Sequence, residues 1–166
     1  MTPLALRAAV PEDTPQIRRL ALDNGMFESD EMGLFDEMLE GFFSGTLENH
    51  HWLVAEIERS GGTVAAAAYF APEPFADRMW NLYFIATAPA QQSSGAGTQL
   101  IEAVEGRLRE MGSSLARTLV VDTSSLAEYE QARSFYTARG FVEEARIREF
   151  YGPGDDKVTF WKQIAP

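Results

Sequence analysis

The spacing of apolar residues along the chain alternates between two periods, and each change marks a predicted element. Alternating or continuous apolar runs indicate strands, whereas apolar residues three and four positions apart indicate amphipathic helices. Strands are predicted in segments 4–10, 51–58, 63–71, 79–88, 115–124, 141–150 and 157–164. Helices are predicted within segments 11–25, 29–45, 91–111 and 128–140, the third beginning after its two glycines. The order βααβββαβαββ indicates an α/β fold. Its helices cover a mixed sheet, with parallel and antiparallel strands, as in α+β proteins.

The third predicted strand has a composition that is unusual for a strand. Four alanines at 65–68 favour a helix by propensity, but a Gly-Gly turn precedes them, and Pro72 and Pro74 follow. These breakers leave room only for a strand. The next strand, 79–88, is apolar on both faces, which is typical of a central strand.

Length and composition limit the class of protein. A chain of 166 residues with 45% hydrophobic residues predicts one domain, residues 1–166, with a full core. The absence of cysteine excludes disulfides and thiolate metal sites. The first residues lack the pattern of a signal peptide, and no apolar run reaches membrane-spanning length. We therefore expect a cytoplasmic protein that does not enter a membrane.

The formal net charge of −11 makes nucleic acid a poor partner, because phosphate backbones are bound by basic faces. Much of this charge lies between Arg19 and Arg59, where ten acids and no lysine or arginine occur. Such a segment is either a solvated acidic face or a negative wall that concentrates a cationic substrate. The sequence is compatible with both interpretations.

Two glycines, Gly95 and Gly97, precede the helical pattern of segment 91–111. A helix N-terminus offers unpaired N–H groups and the positive end of the helix dipole, and glycines let an anion approach the backbone. A Walker loop is excluded because no lysine follows Gly97. A dinucleotide fingerprint is excluded because Leu100 occupies the position of its third glycine. An ordinary turn and a phosphate loop both remain compatible with these two glycines alone.

This loop and a later motif occur together in one known family. The loop pattern consists of Gln92, Gly95 and Gly97 after a predicted strand. The later motif consists of Ala132, Tyr136, Gly140 and Phe141. Together with the opening segment LRAAVPEDTPQI, they resemble the GNAT superfamily of N-acetyltransferases over essentially the whole chain. The resemblance implies the GNAT fold, with central strands 4 and 5 splayed to admit the pantetheine arm of coenzyme A.

The resemblance also implies which residues meet acetyl-CoA. Loop amides hold the pyrophosphate, and the backbone of the fourth strand bonds the pantetheine and offers an N–H to the thioester oxygen. The implied cofactor-binding residues are Ile85, Ala86, Thr87, Gln92, Ser93, Ser94, Gly95, Ala96, Gly97, Thr98, Tyr129, Ala132 and Phe135. Tyr136 matches the tyrosine that protonates the departing thiolate, which a phenol can do because it is protonated at neutral pH. Taken without the motif, Tyr136 is better explained as a core residue.

Three positions depart from the family pattern. Ser94 stands where arginine or lysine is common, which weakens the electrostatic part of phosphate binding. Tyr129 stands where an asparagine often touches the cofactor. Asn81 stands where many members have a general-base glutamate. An asparagine cannot take a proton, but as the second candidate catalytic residue it can orient a water or the amine.

The family pattern therefore does not identify the general base in this sequence. Glu28, Asp30 or Glu31 could remove the proton through water, or could be surface charges. The His50-His51 pair is a further candidate, although histidines in a loop are usually solvated. No carboxylate-histidine spacing supports a metal site, so we expect no metal.

The sequence-based hypothesis is an acetyl-CoA-dependent N-acetyltransferase in which the amine attacks the thioester directly, since the chain has no cysteine nucleophile. The acidic segment favours a cationic small molecule or peptide amine as the acceptor. The alternative is a non-catalytic CoA-binding or regulatory module, which Asn81 and Ser94 favour. By family analogy, the hairpin of segments 141–150 and 157–164 could supply an edge for a homodimer.

Overall fold

A computed structural model describes residues 3–166 and confirms the predicted order of elements. Within these residues the strands are β1 Leu4–Ala8, β2 His51–Ile57, β3 Val64–Pro72, β4 Met79–Thr87, β5 Thr118–Ser124, β6 Val142–Gly152 and β7 Asp155–Gln163. The α-helices of the same part are α1 Thr14–Asp23, α2 Met32–Phe43, α3 Ala96–Met111 and α4 Glu130–Ala138. The α/β fold class with a mixed sheet is confirmed.

The strands form one sheet in the order β1-β2-β3-β4-β5-β7-β6. Its parallel pair is β4 with β5, and the register joins Met79–Asn81 to Thr118–Val120. The pairing thus comprises the first three of the nine residues of β4, which agrees with the predicted splaying of these strands. The hairpin β6–β7 is antiparallel, and β7 also pairs with β5 in antiparallel register.

The chain divides into two compact units that interleave along the sequence. The first unit comprises the chain up to Ala71 together with Phe84–Gly106. The second comprises Pro72–Tyr83 and Arg107–Pro166. Strand β4 contributes residues to both units. The assignment of residues 1–166 to a single domain stays a prediction.

The core of the first unit is aromatic and lies around Trp52. The Trp52 ring stacks on Tyr69 with a centroid distance of 4.8 Å, and Phe35 and Phe84 pack against it edge-on or tilted at 5.6 Å. Strand β3 passes through this core, and residues 65–68 have no exposed surface. The helix propensity of these alanines is overridden because every position of the strand from Val64 to Ala71 is buried.

The core of the second unit lies around Tyr136. Its ring has neighbours at centroid distances of 5.5 Å for Phe135 and Phe160 and 5.9 Å for Phe141. Phe141 and Phe160 are almost fully buried, as is Leu119 of β5. The motif residue Phe141 therefore closes the core at the end of α4.

Two local expectations differ from the structure. The turn predicted over 151–156 is narrower, because β6 continues to Gly152 and β7 begins at Asp155. His50 is half-buried rather than solvated, since its Nδ1 is hydrogen-bonded to the Tyr69 hydroxyl and its ring stacks on that of Tyr69. Burial lowers the pKa of His50 and raises the pKa of Tyr69 to about 12.

Candidate active site

The loop between β4 and α3 has a backbone whose φ angle alternates in sign. A short turn at Pro89–Gln91 leads to Gln92 with φ −61°, followed by Ser93 with φ 66° and Gly95 with φ 87°. Gln92 is extended with ψ 142°, and the Ser94 N–H donates to the Gln91 carbonyl, so residues 91–94 form a β-turn with Ser93 at the position that favours glycine. Serine in the left-handed region costs about 1–2 kcal/mol. Such strain concentrates at functional sites, so the conformation of Ser93 marks this loop as a candidate site.

Ser94 connects this loop to the first turn of α3. Its N–H donates to the Gln91 carbonyl at 3.2 Å, and its Oγ accepts a hydrogen bond from the Ala96 N–H at 3.4 Å. The Gln99 N–H donates to the Gly95 carbonyl and begins the helical ladder. Within the described chain the Ser94 hydroxyl proton has no acceptor, so it adds a donor to the amides of the first helical turn.

The loop lies in an acid-free part of a strongly acidic chain. No aspartate or glutamate occurs between Asp77 and Glu102, although the protein has 25 acids. The groups that the loop offers are N–H and O–H donors, which is the chemistry that phosphate oxygens require.

Asn24 holds the loop from the end of α1, a role that sequence reasoning missed. Its Nδ2 donates to the carbonyls of Leu20 at 2.8 Å and Thr87 at 3.1 Å. Its Oδ1 accepts a hydrogen bond from Gln92 Nε2 at 3.4 Å. The sequence signal was an asparagine before Gly25 at a helix end, which predicts only a helix terminus. Asn24 thereby joins three elements of the first unit: α1, the end of β4 and the loop.

The last residues of β4 alternate between core and solvent, as a strand dictates. Phe84 and Ala86 are buried in the aromatic core of the first unit, whereas Ile85 and Thr87 are half-buried. The Thr87 carbonyl accepts a hydrogen bond from Asn24, and the Ala88 N–H donates to the Ala65 carbonyl at 2.7 Å. These bonds fix the backbone of the segment that the resemblance assigns to pantetheine.

In the second unit Asn81 is bonded to a carboxylate that the sequence analysis did not single out. Asn81 is 5% exposed, and its Nδ2 donates to Glu73 Oε2 at 3.0 Å. The Tyr83 hydroxyl donates to the same oxygen, also at 3.0 Å. Glu73 stands between two prolines, so its local sequence predicts an exposed turn and gives no signal of this contact. We call Glu73, Asn81 and Tyr83 the Glu73 cluster.

Tyr136, the predicted acid, is 6% exposed and lies within the core of the second unit. Burial raises the pKa of its hydroxyl, and the neighbouring Tyr151 raises it further. The hydroxyl makes no hydrogen bond to any residue from 3 to 166. The side chain therefore stays protonated far above neutral pH, and its proton has no partner within the described chain.

The start of α4 contains the remaining predicted cofactor residues. Tyr129 lies at the N-terminus of α4, while Ala132 and Phe135 are half-buried on the helix. Burial raises the pKa of Tyr129, and the charges of Glu128 and Asp155 add to this. Sequence reasoning missed Arg133, which donates to the carbonyls of Ser124 at 2.7 Å and Leu126 at 2.9 Å.

The acids near the first two helices that the sequence suggested as a base form local hydrogen bonds or lie on the surface. Glu28 and Glu31 form a reciprocal cap, in which Glu31 Oε2 accepts a hydrogen bond from the Glu28 N–H at 2.8 Å. Both are exposed, as is Asp30. Their geometry is that of residues that stabilise the start of α2, so it supports the interpretation as surface charges.

No group of three or more histidine, aspartate or glutamate side chains suited to a metal ion occurs among residues 3–166. No helix in the same range is long and apolar enough to cross a bilayer.

Comparisons with known proteins show which family the chain resembles. Residues 48–143, more than half of the chain, match the family model described as acetyltransferase (GNAT) domain. A crystal structure from Desulfovibrio desulfuricans, assigned to the GNAT family, is 31% identical with a TM-score of 0.87, covering 98% of this chain and 100% of that chain. No curated protein matches this sequence.

Two more distant structures show the same fold. The protein yncA from Salmonella typhimurium, solved with its cofactor acetyl-CoA, is 18% identical with a TM-score of 0.79, covering 99% of this chain and 96% of that chain. An N-acetyltransferase from Staphylococcus aureus Mu50 is 17% identical with a TM-score of 0.78, covering 98% of this chain and 99% of that chain.

The chain belongs to the GNAT family of acetyltransferases. It is an N-acetyltransferase that uses acetyl-CoA as its acetyl donor.

Proposed function

We propose that this enzyme transfers an acetyl group to a primary amine by direct attack, and that the acceptor is a cationic small molecule or a peptide amine. Acetyl-CoA supplies a thioester whose carbonyl carbon is open to a nucleophile. The observation that carries the proposal is the loop Gln92–Thr98. Its turn at Ser93, the Ser94 hydroxyl, whose proton has no acceptor among residues 3–166, and the start of α3 present N–H and O–H donors in a stretch of sequence without acids.

The residues present fit the phosphate end of coenzyme A. In the proposal, the loop residues Gln92, Ser93, Ser94, Gly95, Ala96, Gly97 and Thr98 hold the pyrophosphate. The N–H groups of Ser93, Gly95 and Gly97, which donate to no acceptor among residues 3–166, and the Ser94 hydroxyl are the main donors. The backbone of Ile85, Ala86 and Thr87 holds the pantetheine arm. Tyr129, Ala132 and Phe135 on α4 add contacts to the cofactor. Asn24 supports this arrangement because it bonds both Thr87 and Gln92.

Two side chains act on protons and orientation in the proposed reaction. Tyr136 gives its proton to the departing thiolate, and its raised pKa keeps that proton in place at neutral pH until it is needed. Asn81 orients the acceptor with its amide, one hydrogen of which is bonded to Glu73. The chain has no cysteine to carry an acetyl group, which favours direct transfer to the amine.

The acidic segment between Arg19 and Arg59 supports a cationic acceptor. Some of its charge is neutralised, since Asp36 is paired with Arg18 and Glu56 with Arg7. The surface acids Glu37, Glu40 and Glu48 are exposed. Their field attracts an ammonium-bearing substrate at low ionic strength and is screened by salt.

The first test is titration calorimetry of acetyl-CoA against the wild type, Gly97→Glu and Gly106→Glu. The first substitution introduces bulk and a negative charge at the loop, and we expect at least about a 100-fold loss of affinity, equivalent to about 2.7 kcal/mol. The control adds the same charge to the same helix at Gly106, where an added Cβ meets open space. Equal losses in the two variants would assign the effect to charge or folding rather than to the loop.

The acceptor is tested by thiol release with spermidine, kanamycin and a lysine-rich peptide against glutamate and an acidic peptide. We expect the polycationic amines to react fastest at low salt and to lose part of that advantage at high salt. Faster turnover of the acidic amines would contradict the cationic acceptor. Acetyl-CoA binding without thiol release on any amine would instead favour a non-catalytic CoA-binding module.

A further inference from the structure

Glu73 is held rigidly at the turn between β3 and β4. Its backbone N–H donates to the Met79 carbonyl at 2.8 Å, across the hairpin. Pro72 precedes it and Pro74 follows it, and a residue before proline is restricted to extended conformations. The backbone of Glu73 therefore has little freedom, and its half-buried side chain starts from a fixed point.

One oxygen of this carboxylate is occupied and the other is not. Oε2 accepts hydrogen bonds from Asn81 Nδ2 and the Tyr83 hydroxyl, both at 3.0 Å. Asn81 and Tyr83 are two residues apart on β4, so both side chains leave the same face of the strand. Within residues 3–166, Oε1 of Glu73 has no hydrogen-bond partner.

No cation of the described chain neutralises Glu73. Both of its hydrogen-bond donors are uncharged, and no salt bridge to it occurs among residues 3–166. The other acid of the same turn, Asp77, behaves differently, since it pairs with Arg78 at 2.8 Å and lies 3.8 Å from Arg117. The two arginines of this region are thus paired with Asp77, and Glu73 has no cationic partner among residues 3–166.

A half-buried carboxylate oriented by two neutral donors, with one oxygen open, is suited to bind an ammonium group and accept a proton from it. The position on β4 where a glutamate base was expected is Asn81, and Asn81 is bonded to Glu73. The carboxylate missing from β4 is therefore supplied by the neighbouring turn. This substitution of one chain position for another is not visible in the sequence.

We propose that Glu73 binds the ammonium group of the acceptor through Oε1 and takes one proton from it, with Asn81 and Tyr83 as the positioning residues for its carboxylate. The inference rests on the proposed function. The ammonium N–H bond breaks, its electron pair stays on nitrogen, and that pair forms the C–N bond as the C–S bond breaks. The nitrogen then loses a second proton to water, the thiolate takes the proton of Tyr136, which regains one from water, and Glu73 releases its proton to water.

The test compares Glu73→Gln with the control Asp77→Asn, using the fastest amine of the spermidine, kanamycin and lysine-rich peptide panel. Glutamine retains an oxygen that can accept the bonds from Asn81 and Tyr83, so folding is preserved. We expect kcat/KM for the amine to fall about 100-fold in Glu73→Gln, with acetyl-CoA affinity unchanged. We expect Asp77→Asn to remain within twofold of the wild type.

Two further readouts separate proton transfer from a structural role. The loss in Glu73→Gln is expected to shrink between pH 7 and pH 9, because the fraction of free amine rises about tenfold per pH unit below the amine pKa. The double variant Glu73→Gln/Asn81→Glu moves the carboxylate to β4. We expect it to recover at least tenfold of the lost kcat/KM.

The outcomes distinguish this proposal from the proposed function. An active wild type with an equally active Glu73→Gln overturns the assignment of Glu73 alone. A loss that is the same at every pH and is not recovered by the double variant also overturns it, because Glu73 then only supports the hairpin. A wild type that acetylates no amine of the panel overturns the proposed function, and the role of Glu73 with it.

Discussion

The loop Gln92–Thr98 and the Glu73 cluster are built in different ways. The loop is made of backbone: its shape comes from the φ angles of Ser93 and Gly95 and from the start of α3. The Glu73 cluster is made of side chains from a turn and a strand, and it depends on two hydrogen bonds to one carboxylate oxygen. Each lies in its own compact unit of the chain.

The difference teaches which part of a site tolerates change. A backbone site needs only glycine, small residues and a helix start, so in our proposal it tolerates serine at position 94. A side-chain site needs a particular functional group, but that group can come from any residue that reaches the place. Asn81 on β4 and Glu73 in the turn together provide what one glutamate would provide in a single position.

The largest effect of removing a side-chain group, as opposed to changing the backbone loop, is expected for Tyr136→Phe. Only the hydroxyl is removed, and the ring contacts with Phe135 and Phe160 are kept. We expect kcat to fall about 100-fold, because the departing thiolate loses its proton donor. Acetyl-CoA affinity by calorimetry and the midpoint of urea unfolding are expected to stay near the wild-type values.

A matched control exists in the first unit. Tyr69→Phe also removes one buried hydroxyl, but that hydroxyl is bonded to His50. We expect it to cost about 1 kcal/mol of stability and to leave kcat within about threefold. If the two variants lose the same activity, the hydroxyl of Tyr136 has no special part in the reaction.

The sequence predicted the elements and the turn before α3 well because both depend on local patterns. The φ preferences of glycine and the apolar spacing of α3 can be read from neighbouring residues. Strand β3 is predicted by the glycines before it and the prolines after it. Glu73 and Asn24 could not be predicted, since their partners are 8 and 63 residues away and depend on strand register and helix docking. Their identity as polar residues near a turn indicates only exposure.

Asp13 shows the same limit. It stands at the N-cap position of α1, where aspartate usually caps a helix, but its carboxylate accepts hydrogen bonds from Arg7 and from the Val10 N–H instead. Burial alone raises the pKa of this carboxyl, but the bonds from Arg7 and Val10 outweigh it, so its pKa is lowered. Asp13 thus forms a salt bridge with Arg7, whereas Glu73 forms no salt bridge among residues 3–166.

The next largest effect is expected for Asp13→Asn, which tests this contrast between the two acids. We expect the variant to lose about 2 kcal/mol of unfolding free energy at pH 7, because Arg7 loses a buried partner. The carboxylate contributes fully above the unfolded-state pKa of about 3.9, and its contribution is lost as the pH falls through the lower folded-state value. Urea unfolding at pH 7 and pH 3 should therefore show the gap to the wild type closing at the lower pH.

The control for this prediction is Asp23→Asn, which removes an exposed pair with Arg19. We expect a change below about 0.5 kcal/mol at either pH. Glu73→Gln should resemble this control in stability while it differs in activity. A Glu73→Gln variant as unstable as Asp13→Asn would mean that both acids serve the fold, and the contrast between them would disappear.

The smallest effect is expected for Asn24→Ala, which removes the side chain that supports the backbone loop. The loss of the bonds to Thr87 and Gln92 should cost about 1 kcal/mol of stability and weaken acetyl-CoA about fivefold. Gln16→Ala is the matched control, because Gln16 is also an amide on α1 that bonds backbone groups of the first unit, at Gly62 and Val64. It should lose similar stability without losing affinity in the same calorimetric titration. If both variants bind acetyl-CoA as the wild type does, the loop holds its shape through its own φ angles alone, and the division between a backbone site and a side-chain site becomes sharper.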